Sequence, residues 1–118
     1  MINKSHIKIV VMNGPEDGRA FELKTFPIMI GRHSTDDVFL ASDRSVSRHH
    51  ARISWEGGSY FIEDVGFMGG GSTNGTFLKA NRVTQKKTIN PGDLFSLGRV
   101  LLKFDIVSKI NTLELNAN

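Results

Sequence analysis

The chain has 118 residues, of which 39% are hydrophobic and 23% charged, a composition typical of one compact domain rather than two. It contains no cysteine, which excludes disulfides, zinc–thiolate and iron–sulfur centres, and thiol nucleophiles. The net charge of +3 comes from 15 basic and 12 acidic residues scattered along the chain, without the basic stripe of a nucleic-acid-binding protein. No apolar stretch approaches the roughly 18 residues of a membrane span and no secretory signal opens the sequence, so we expect a cytoplasmic protein.

Apolar residues recur mainly at every second position in short runs, separated by clusters of Gly, Asn, Asp, Ser and Pro. This pattern is typical of short strands and leaves little room for helices. The predicted strands cover residues 7–12, 19–23, 27–31, 37–40, 50–55, 60–65, 76–78, 82–84, 86–89, 94–97 and 100–107. In the last of them, Leu102, Phe104 and Ile106 fall on one face and the intervening residues on the other. Eleven strands at this spacing predict an all-β, antiparallel-rich sandwich.

Each gap between strands has its own turn residues, such as the Asn90-Pro91-Gly92-Asp93 turn, where the proline suits the first corner position. The composition changes only after Val107, where Ile110, Leu113 and Leu115 stand among polar residues. We expect a sandwich domain at residues 1–107 and a tail or linker at 108–118, with a short docked helical turn as the alternative for that tail. A small stand-alone protein and a piece of a larger one both fit this organisation.

Three polar segments fall where the sandwich has loops that could meet at one end, at residues 31–34, 45–50 and 69–76. Ser47, His50 and Asp64 supply the residue types of a Ser–His–acid triad, but no nucleophile-elbow pattern surrounds any serine. His49 and His50 are neighbours on a strand and point to opposite faces, so they cannot share a metal ion. The glycine-rich segment lacks the lysine and the following helix of a nucleotide P-loop. We therefore expect neither an enzyme nor a metal site.

Several short motifs stand in a fixed order along the chain. They are Gly31-Arg32, Ser45-Val46-Ser47-Arg48-His49-His50, Ser72-Thr73-Asn74-Gly75-Thr76-Phe77 and Pro91-Gly92-Asp93. Each alone is common, but the ordered set resembles the forkhead-associated (FHA) domain over nearly the whole chain. The resemblance implies an eleven-stranded β-sandwich whose loops at one end read phosphothreonine in a partner protein.

By this resemblance, Arg32 is the guanidinium that binds the phosphate, and Ser47 donates its hydroxyl to a phosphate oxygen. Thr73 adds a second contact from the facing loop, and the side-chain amide of Asn74 grips the ligand backbone beside the phosphothreonine. Arg48 contacts either the phosphate or the peptide. These residue types suit the ligand because a phosphothreonine carries about −1.5 to −2 charges and three acceptor oxygens.

Three further residues are expected to support the site. Gly31 belongs to the first motif, Gly75 is expected to have a positive φ, and the family's equivalent of His50 is buried and braces the binding loops through hydrogen bonds. His49 is expected to point to solvent or to the rim. Simpler local roles compete with these assignments: a solvated arginine at a strand end, a serine that satisfies its own backbone, and an asparagine that only shapes a turn.

The sequence departs from the family pattern between Asp64 and Ser72, where residues 65–71 replace a much shorter connection. A longer loop adds little to the closure entropy. Two consequences are open. Phe67 and Met68 pack over the ligand groove and shape selectivity, or a loosely ordered loop weakens binding.

The leading prediction is a phosphothreonine-dependent interaction module, a monomeric adaptor that needs no cofactor. It recruits a Thr-phosphorylated protein, works directly or indirectly with a Ser/Thr kinase, and binds neither nucleic acid nor membrane. The alternative is a phospho-independent scaffold or self-association domain that uses another face of the same fold. Salt and phosphatase sensitivity separate the two, because only the first needs a dianion at Arg32. The preference for residues flanking the phosphothreonine is open, since Ser45 offers no charge and Arg44 is a candidate to supply one.

Overall fold

The computed structural model describes residues 6–66 and 68–107, and eleven strands form within them. The strands are β1 (His6–Val11), β2 (Ala20–Leu23), β3 (Ile28–Gly31), β4 (Val38–Phe39), β5 (Ala51–Glu56), β6 (Ser59–Asp64), β7 (Thr76–Leu78), β8 (Asn81–Arg82), β9 (Lys87–Thr88), β10 (Leu94–Leu97) and β11 (Val100–Val107). The predicted all-β fold is confirmed, and β7, β10 and β11 have the predicted bounds. The predicted strands were too long at β4, β8 and β9, which are edge strands and pair on one side only.

The strands form two sheets. The six-stranded sheet has the order β2-β1-β11-β10-β7-β8, and the five-stranded sheet has the order β4-β3-β5-β6-β9. Neighbouring strands pair antiparallel, except that β3 and β4 are parallel. This arrangement is the antiparallel-rich sandwich that the alternating sequence pattern predicts.

The core lies between the sheets and is built from the alternate residues of each strand. From the six-stranded sheet, Leu102 and Phe104 are fully buried, and Ile106 is partly buried against the core, on the face predicted for them. From the other sheet, the buried side chains include Ile30 and Ile62. Burying these branched and aromatic side chains stabilises the sandwich.

Loops from both sheets meet at one end of the sandwich, as predicted. The turn between β10 and β11 is tied there by Asn13, which follows β1 and whose Nδ2 donates to Arg99 O over 3.0 Å. In residues 6–66 and 68–107 there is no helix long and apolar enough to cross a membrane. The tail predicted at residues 108–118 lies outside the described residues, so that boundary stays a prediction.

Candidate functional site

Three loops converge at this end and are joined by backbone amides. The amide of Arg32, after β3, donates to Ser47 O over 3.1 Å and so joins the β3–β4 loop to the β4–β5 loop. The amide of Thr73 donates to Ser47 Oγ over 3.1 Å and joins the β6–β7 loop to the same residue. The predicted site residues therefore lie on loops that contact one another, with Ser47 at the centre.

Gly31 is the last residue of β3 and is closely packed, and Arg32 follows it. A Cβ on Gly31 would lie 2.5 Å from both Asp36 Oδ2 and the amide nitrogen of His49, so only glycine fits there without a shift. The half-buried Arg32 side chain donates from Nε to Val46 O over 2.8 Å. Among the described residues, its two terminal guanidinium nitrogens have no hydrogen-bond partner. That planar fork matches the oxygens of a phosphate or a carboxylate.

The hydroxyl of Ser47 lies next to the backbone of Thr73. Ser47 Oγ accepts the amide hydrogen of Thr73, which leaves the hydroxyl proton of Ser47 available for donation. The Thr73 side chain is exposed on the facing loop. Arg48 is exposed on the β4–β5 loop directly after Ser47, and its predicted contact with the phosphate or the peptide stays a prediction.

Asn74 and Gly75 follow on the β6–β7 loop. Asn74 is exposed, and its Nδ2 donates to Ser45 O over 2.9 Å, which leaves the amide oxygen as an acceptor. Gly75 is buried and has a φ of +88°, the positive value that the sequence predicts. Its amide donates to Ser72 Oγ over 2.9 Å. Gly75 thus holds the turn that presents Thr73 and Asn74.

His50 is fully buried and joins two of the site loops, as predicted. Its Nδ1 accepts the amide hydrogen of Ser47 over 2.9 Å, so the proton of the neutral ring is on Nε2, which donates to Gly75 O over 2.9 Å. Burial lowers the pKa of His50, against the opposing effects of the Gly75 carbonyl and the charge of Asp64. A neutral ring is the form that makes both hydrogen bonds.

The residues considered for a catalytic triad do not form one. Both ring nitrogens of His50 bond backbone atoms, and Ser47 Oγ is bonded by the amide of Thr73. Asp64 Oδ1 lies 3.9 Å from His50 Nε2, the nitrogen that faces Gly75. His50 is therefore not placed to take a proton from Ser47. Within residues 6–66 and 68–107 no cluster of histidine and acidic residues fits a metal ion.

Asp64 instead bonds Ser72 and Thr76, the residues on either side of the segment that contains Thr73. Its carboxylate accepts the amide of Ser72 over 2.9 Å, the hydroxyl of Ser72 over 2.6 Å and the hydroxyl of Thr76 over 2.6 Å. Burial raises the pKa of Asp64, but the hydrogen bonds from Ser72 and Thr76 outweigh it and leave the pKa below its usual value. The ionised carboxylate therefore holds Ser72, the residue that precedes Thr73.

The long β6–β7 loop closes on itself before it reaches the site. The amide of Gly71 donates to Val65 O over 2.8 Å, so the two ends of the insertion are adjacent. A Cβ on Gly66 would lie 2.0 Å from Gly71 O, which shows how closely the two backbones approach. Met68 is 85% exposed and does not pack over the neighbouring loops, and Phe67 lies outside the described residues. Despite the insertion, the amide of Thr73 reaches Ser47 Oγ.

The buried carboxylate of Asp36 beside Gly31 was not predicted from the sequence. Asp36 is 5% exposed and accepts the amides of His33 and His49 and the His49 ring. His49 is half-buried and has a φ of +51°. It was predicted to point to solvent or to the rim, and its hydrogen bonds to Asp36 were not predicted. The only local signal was an aspartate three residues after His33, a spacing common in turns.

The FHA domain model matches residues 28–98, a range that includes Arg32, Ser47, Thr73 and Asn74. The chain belongs to the FHA-domain family. FHA domains are interaction modules, and this family membership confirms the resemblance seen in the sequence motifs.

The chain is 38% identical over 96 residues to the glycogen accumulation regulator GarA of Mycolicibacterium smegmatis, covering 81% of this chain and 56% of that protein. It thus spans little more than half of that relative. A structure from a structural and functional analysis of phosphothreonine-dependent FHA domain interactions matches with a TM-score of 0.73 and 27% identity, over 88% of this chain and 99% of that one. EmbR of Mycobacterium tuberculosis in complex with a low-affinity phosphopeptide matches with a TM-score of 0.73 and 28% identity, over 88% of this chain and 25% of that one.

Proposed function

We propose that this FHA domain binds phosphothreonine in a partner protein. The observation that carries the proposal is the pair of terminal Arg32 nitrogens without a partner among the described residues, beside a Ser47 hydroxyl that keeps its proton. A dianionic phosphate needs a cation and hydroxyl donors on one surface. The phosphothreonine-dependent interactions and the bound phosphopeptide named for two similar structures support the same ligand class.

Each predicted residue has a defined role in this proposal. Arg32 binds two phosphate oxygens, and Ser47 donates its hydroxyl to a phosphate oxygen. Thr73 donates its hydroxyl from the facing loop, and the Asn74 amide oxygen accepts an N–H group of the ligand backbone. Arg48 contributes positive charge at the rim. The buried supports are Gly31, His50 and Gly75.

In the cell, the domain recruits a protein that a Ser/Thr kinase has phosphorylated on threonine, or the phosphorylated kinase itself. We place it in the cytoplasm as a monomeric adaptor that uses neither a cofactor nor a metal. We assign no turnover to the site because the His50 ring bonds only backbone atoms at both nitrogens and cannot activate Ser47.

The test is a titration of the protein with a degenerate phosphothreonine peptide library, with phosphoserine and unphosphorylated libraries as controls. We expect binding only to phosphorylated peptides, with a preference for phosphothreonine because burying its methyl group contributes about 0.8 kcal/mol. Arg32→Ala is expected to lower the affinity more than about ten-fold, because each charge-assisted hydrogen bond contributes about 1.5–3 kcal/mol.

The matched control is Lys24→Ala, which removes one positive charge at the opposite end of the sandwich. Lys24 follows β2, whose Leu23 pairs with Ile7, whereas the site lies at the other end of β1, near Asn13. We expect Lys24→Ala to leave the affinity unchanged. If folded Arg32→Ala protein binds phosphopeptides as tightly as the wild type, or if phosphorylation has no effect on binding, the proposed site is wrong.

A further inference from the structure

Two Asn-Gly pairs occur in the chain, Asn13-Gly14 directly after β1 and Asn74-Gly75 at the proposed phosphate site. An asparagine before a glycine is open to spontaneous loss of its side-chain amide, because glycine has no Cβ to hinder the approach of its backbone nitrogen to the asparagine Cγ. The reaction requires that this nitrogen be free of other bonds and able to turn toward Cγ. The two pairs differ in this respect.

The backbone nitrogen of Gly14 is free to react. Gly14 is exposed and has a φ of +73°, and its amide has no hydrogen-bond partner in the described part of the chain. The Asn13 side chain is held by two exposed hydrogen bonds to the β10–β11 region. Its Nδ2 donates to Arg99 O over 3.0 Å, and its Oδ1 accepts the amide of Leu101 over 2.9 Å. Exposed loop contacts of this kind open at a low cost in free energy, so the carboxamide of Asn13 becomes accessible to Gly14.

The backbone nitrogen of Gly75 is not free. Gly75 is buried, and its amide donates to Ser72 Oγ over 2.9 Å. The Ser72 hydroxyl in turn donates to Asp64 Oδ1 over 2.6 Å, which orients its oxygen as an acceptor. The carbonyl of Gly75 is bonded by the buried ring of His50 over 2.9 Å, so the peptide groups on both sides of this glycine are fixed. A buried, hydrogen-bonded amide neither loses its proton to solvent nor turns toward the Asn74 side chain.

We propose that Asn13 is a site of spontaneous deamidation, and that the bonds around Gly75 protect Asn74 from the same reaction. Hydroxide removes the proton of the Gly14 amide, and the nitrogen forms a bond to Asn13 Cγ. The bond from Cγ to Nδ2 then breaks, and the leaving nitrogen takes a proton from water and departs as ammonia. Water opens the resulting succinimide ring at either carbonyl and gives aspartate or isoaspartate. The inference does not depend on phosphothreonine binding.

Deamidation of Asn13 would break a contact between two loops. A pocket of about 190 Å³ is lined there by Asn13 and, among other residues, by Glu16, Asp43 and Arg99. A carboxylate at position 13 has no proton to donate to Arg99 O, and it adds a negative charge to a pocket that already contains two carboxylates and one guanidinium among its described residues. The product is therefore expected to hold the β10–β11 turn less firmly than Asn13 does.

The test incubates the folded protein at mildly alkaline pH and follows the peptides that contain Asn13 and Asn74 by mass spectrometry, which detects the exchange of the amide for a carboxylate. A sample unfolded in urea is the reference. We expect both asparagines to react at similar rates in urea. In the folded protein we expect Asn74 to react at least about ten-fold more slowly than Asn13, because its glycine amide is released only in rare open states.

Ser72→Ala removes the acceptor of the Gly75 amide and tests the protection directly. It is expected to raise the rate at Asn74 about five-fold, the effect of one lost hydrogen bond, and to leave the rate at Asn13 of the same molecule unchanged. Asn13→Asp reproduces one product and is expected to lower the Tm by about 4 °C. Asn90→Asp is its control, because the exposed Asn90 side chain makes no hydrogen bond among the described residues.

Three results would overturn the inference. The first is an intact Asn13 in the folded protein when the same asparagine reacts in urea. The second is an equal rate at Asn13 and Asn74 in the folded protein, which would show that the bonds of Gly75 give no protection. The third is an equal Tm for Asn13→Asp and Asn90→Asp, which would show that the modification does not loosen the turn.

Discussion

His50 and Gly75 are joined by a hydrogen bond of 2.9 Å from the buried imidazole Nε2 to a loop carbonyl oxygen. The other ring nitrogen accepts the amide of Ser47 over 2.9 Å, so one side chain holds two of the three loops that form the site. Solvent water cannot replace these two hydrogen bonds of the ring, because His50 is 0% exposed. The separation of Ser47 from the Asn74-Gly75 turn therefore depends on this ring.

Replacing His50 by alanine is expected to lower the free energy of unfolding by about 2–4 kcal/mol, because it leaves a cavity, removes the acceptor of the Ser47 amide and leaves Gly75 O with the Gly98 amide alone. Phosphopeptide affinity is expected to fall as well, since Ser47 loses its support. Denaturant unfolding and peptide titration measure the two effects. His6→Ala is the control, because His6 bonds the exposed Glu22 at the far end of β1, and it is expected to cost less than about 1 kcal/mol. Equal losses in both variants would contradict the bracing role.

The stability of the protein is expected to depend on pH through the same ring. Burial lowers the pKa of folded His50 below its usual value of 6.5, so the unfolded chain takes up a proton first as the pH falls. The unfolded state then binds more protons, and the free energy of unfolding falls below about pH 6.5, by up to about 1.4 kcal/mol per pH unit. Above that pH the contribution is complete. Unfolding curves between pH 8 and 5 are expected to show a smaller slope in His50→Gln, and an unchanged slope would assign the effect to other groups.

The parts of the molecule that could be predicted are those with a local cause. β7, β10 and β11 were predicted to the residue because apolar and polar residues alternate in them and turn residues, such as Gly92-Asp93 and Gly98-Arg99, mark where β10 and β11 begin. The positive φ of Gly75 follows from its place after Asn74 in a tight turn. The choice of Arg32, Ser47 and Thr73 rests on the resemblance of the ordered motifs to the FHA domain. The family match confirms that resemblance, and the roles of the three residues stay predictions.

The parts that could not be predicted depend on residues far apart in the sequence. Asp36 bonds His49, 13 residues away, and Arg99 bonds Ser45, 54 residues away. No periodicity or turn rule relates such positions, because only the packing of the two sheets brings them together. The buried Asp36 carboxylate beside Gly31 and the contact between Arg99 and Ser45 therefore emerged only from the structure.

The long β6–β7 loop allows a test of whether the closure of the insertion positions Thr73. Its closing hydrogen bond, from the Gly71 amide to Val65 O over 2.8 Å, lies before Ser72, which Asp64 holds separately. Gly71 directly precedes Ser72, so a displacement of Gly71 at its close approach to Gly66 is expected to strain the Ser72 anchor and to shift Thr73.

Gly66→Ala is expected to lower the free energy of unfolding by at least about 1–2 kcal/mol, because φ is +78° there and the new Cβ would lie 2.0 Å from Gly71 O. Gly70→Ala is the matched control in the same loop, since its φ is not positive and, among residues 6–66 and 68–107, no atom beyond its chain neighbours lies within 4 Å of the new Cβ. It is expected to change stability by less than about 1 kcal/mol. Phosphopeptide affinity is expected to fall in Gly66→Ala alone, as Thr73 moves with the displaced loop. If thermal unfolding and peptide titration give the same values for both variants, the closure at Gly66 does not position the site.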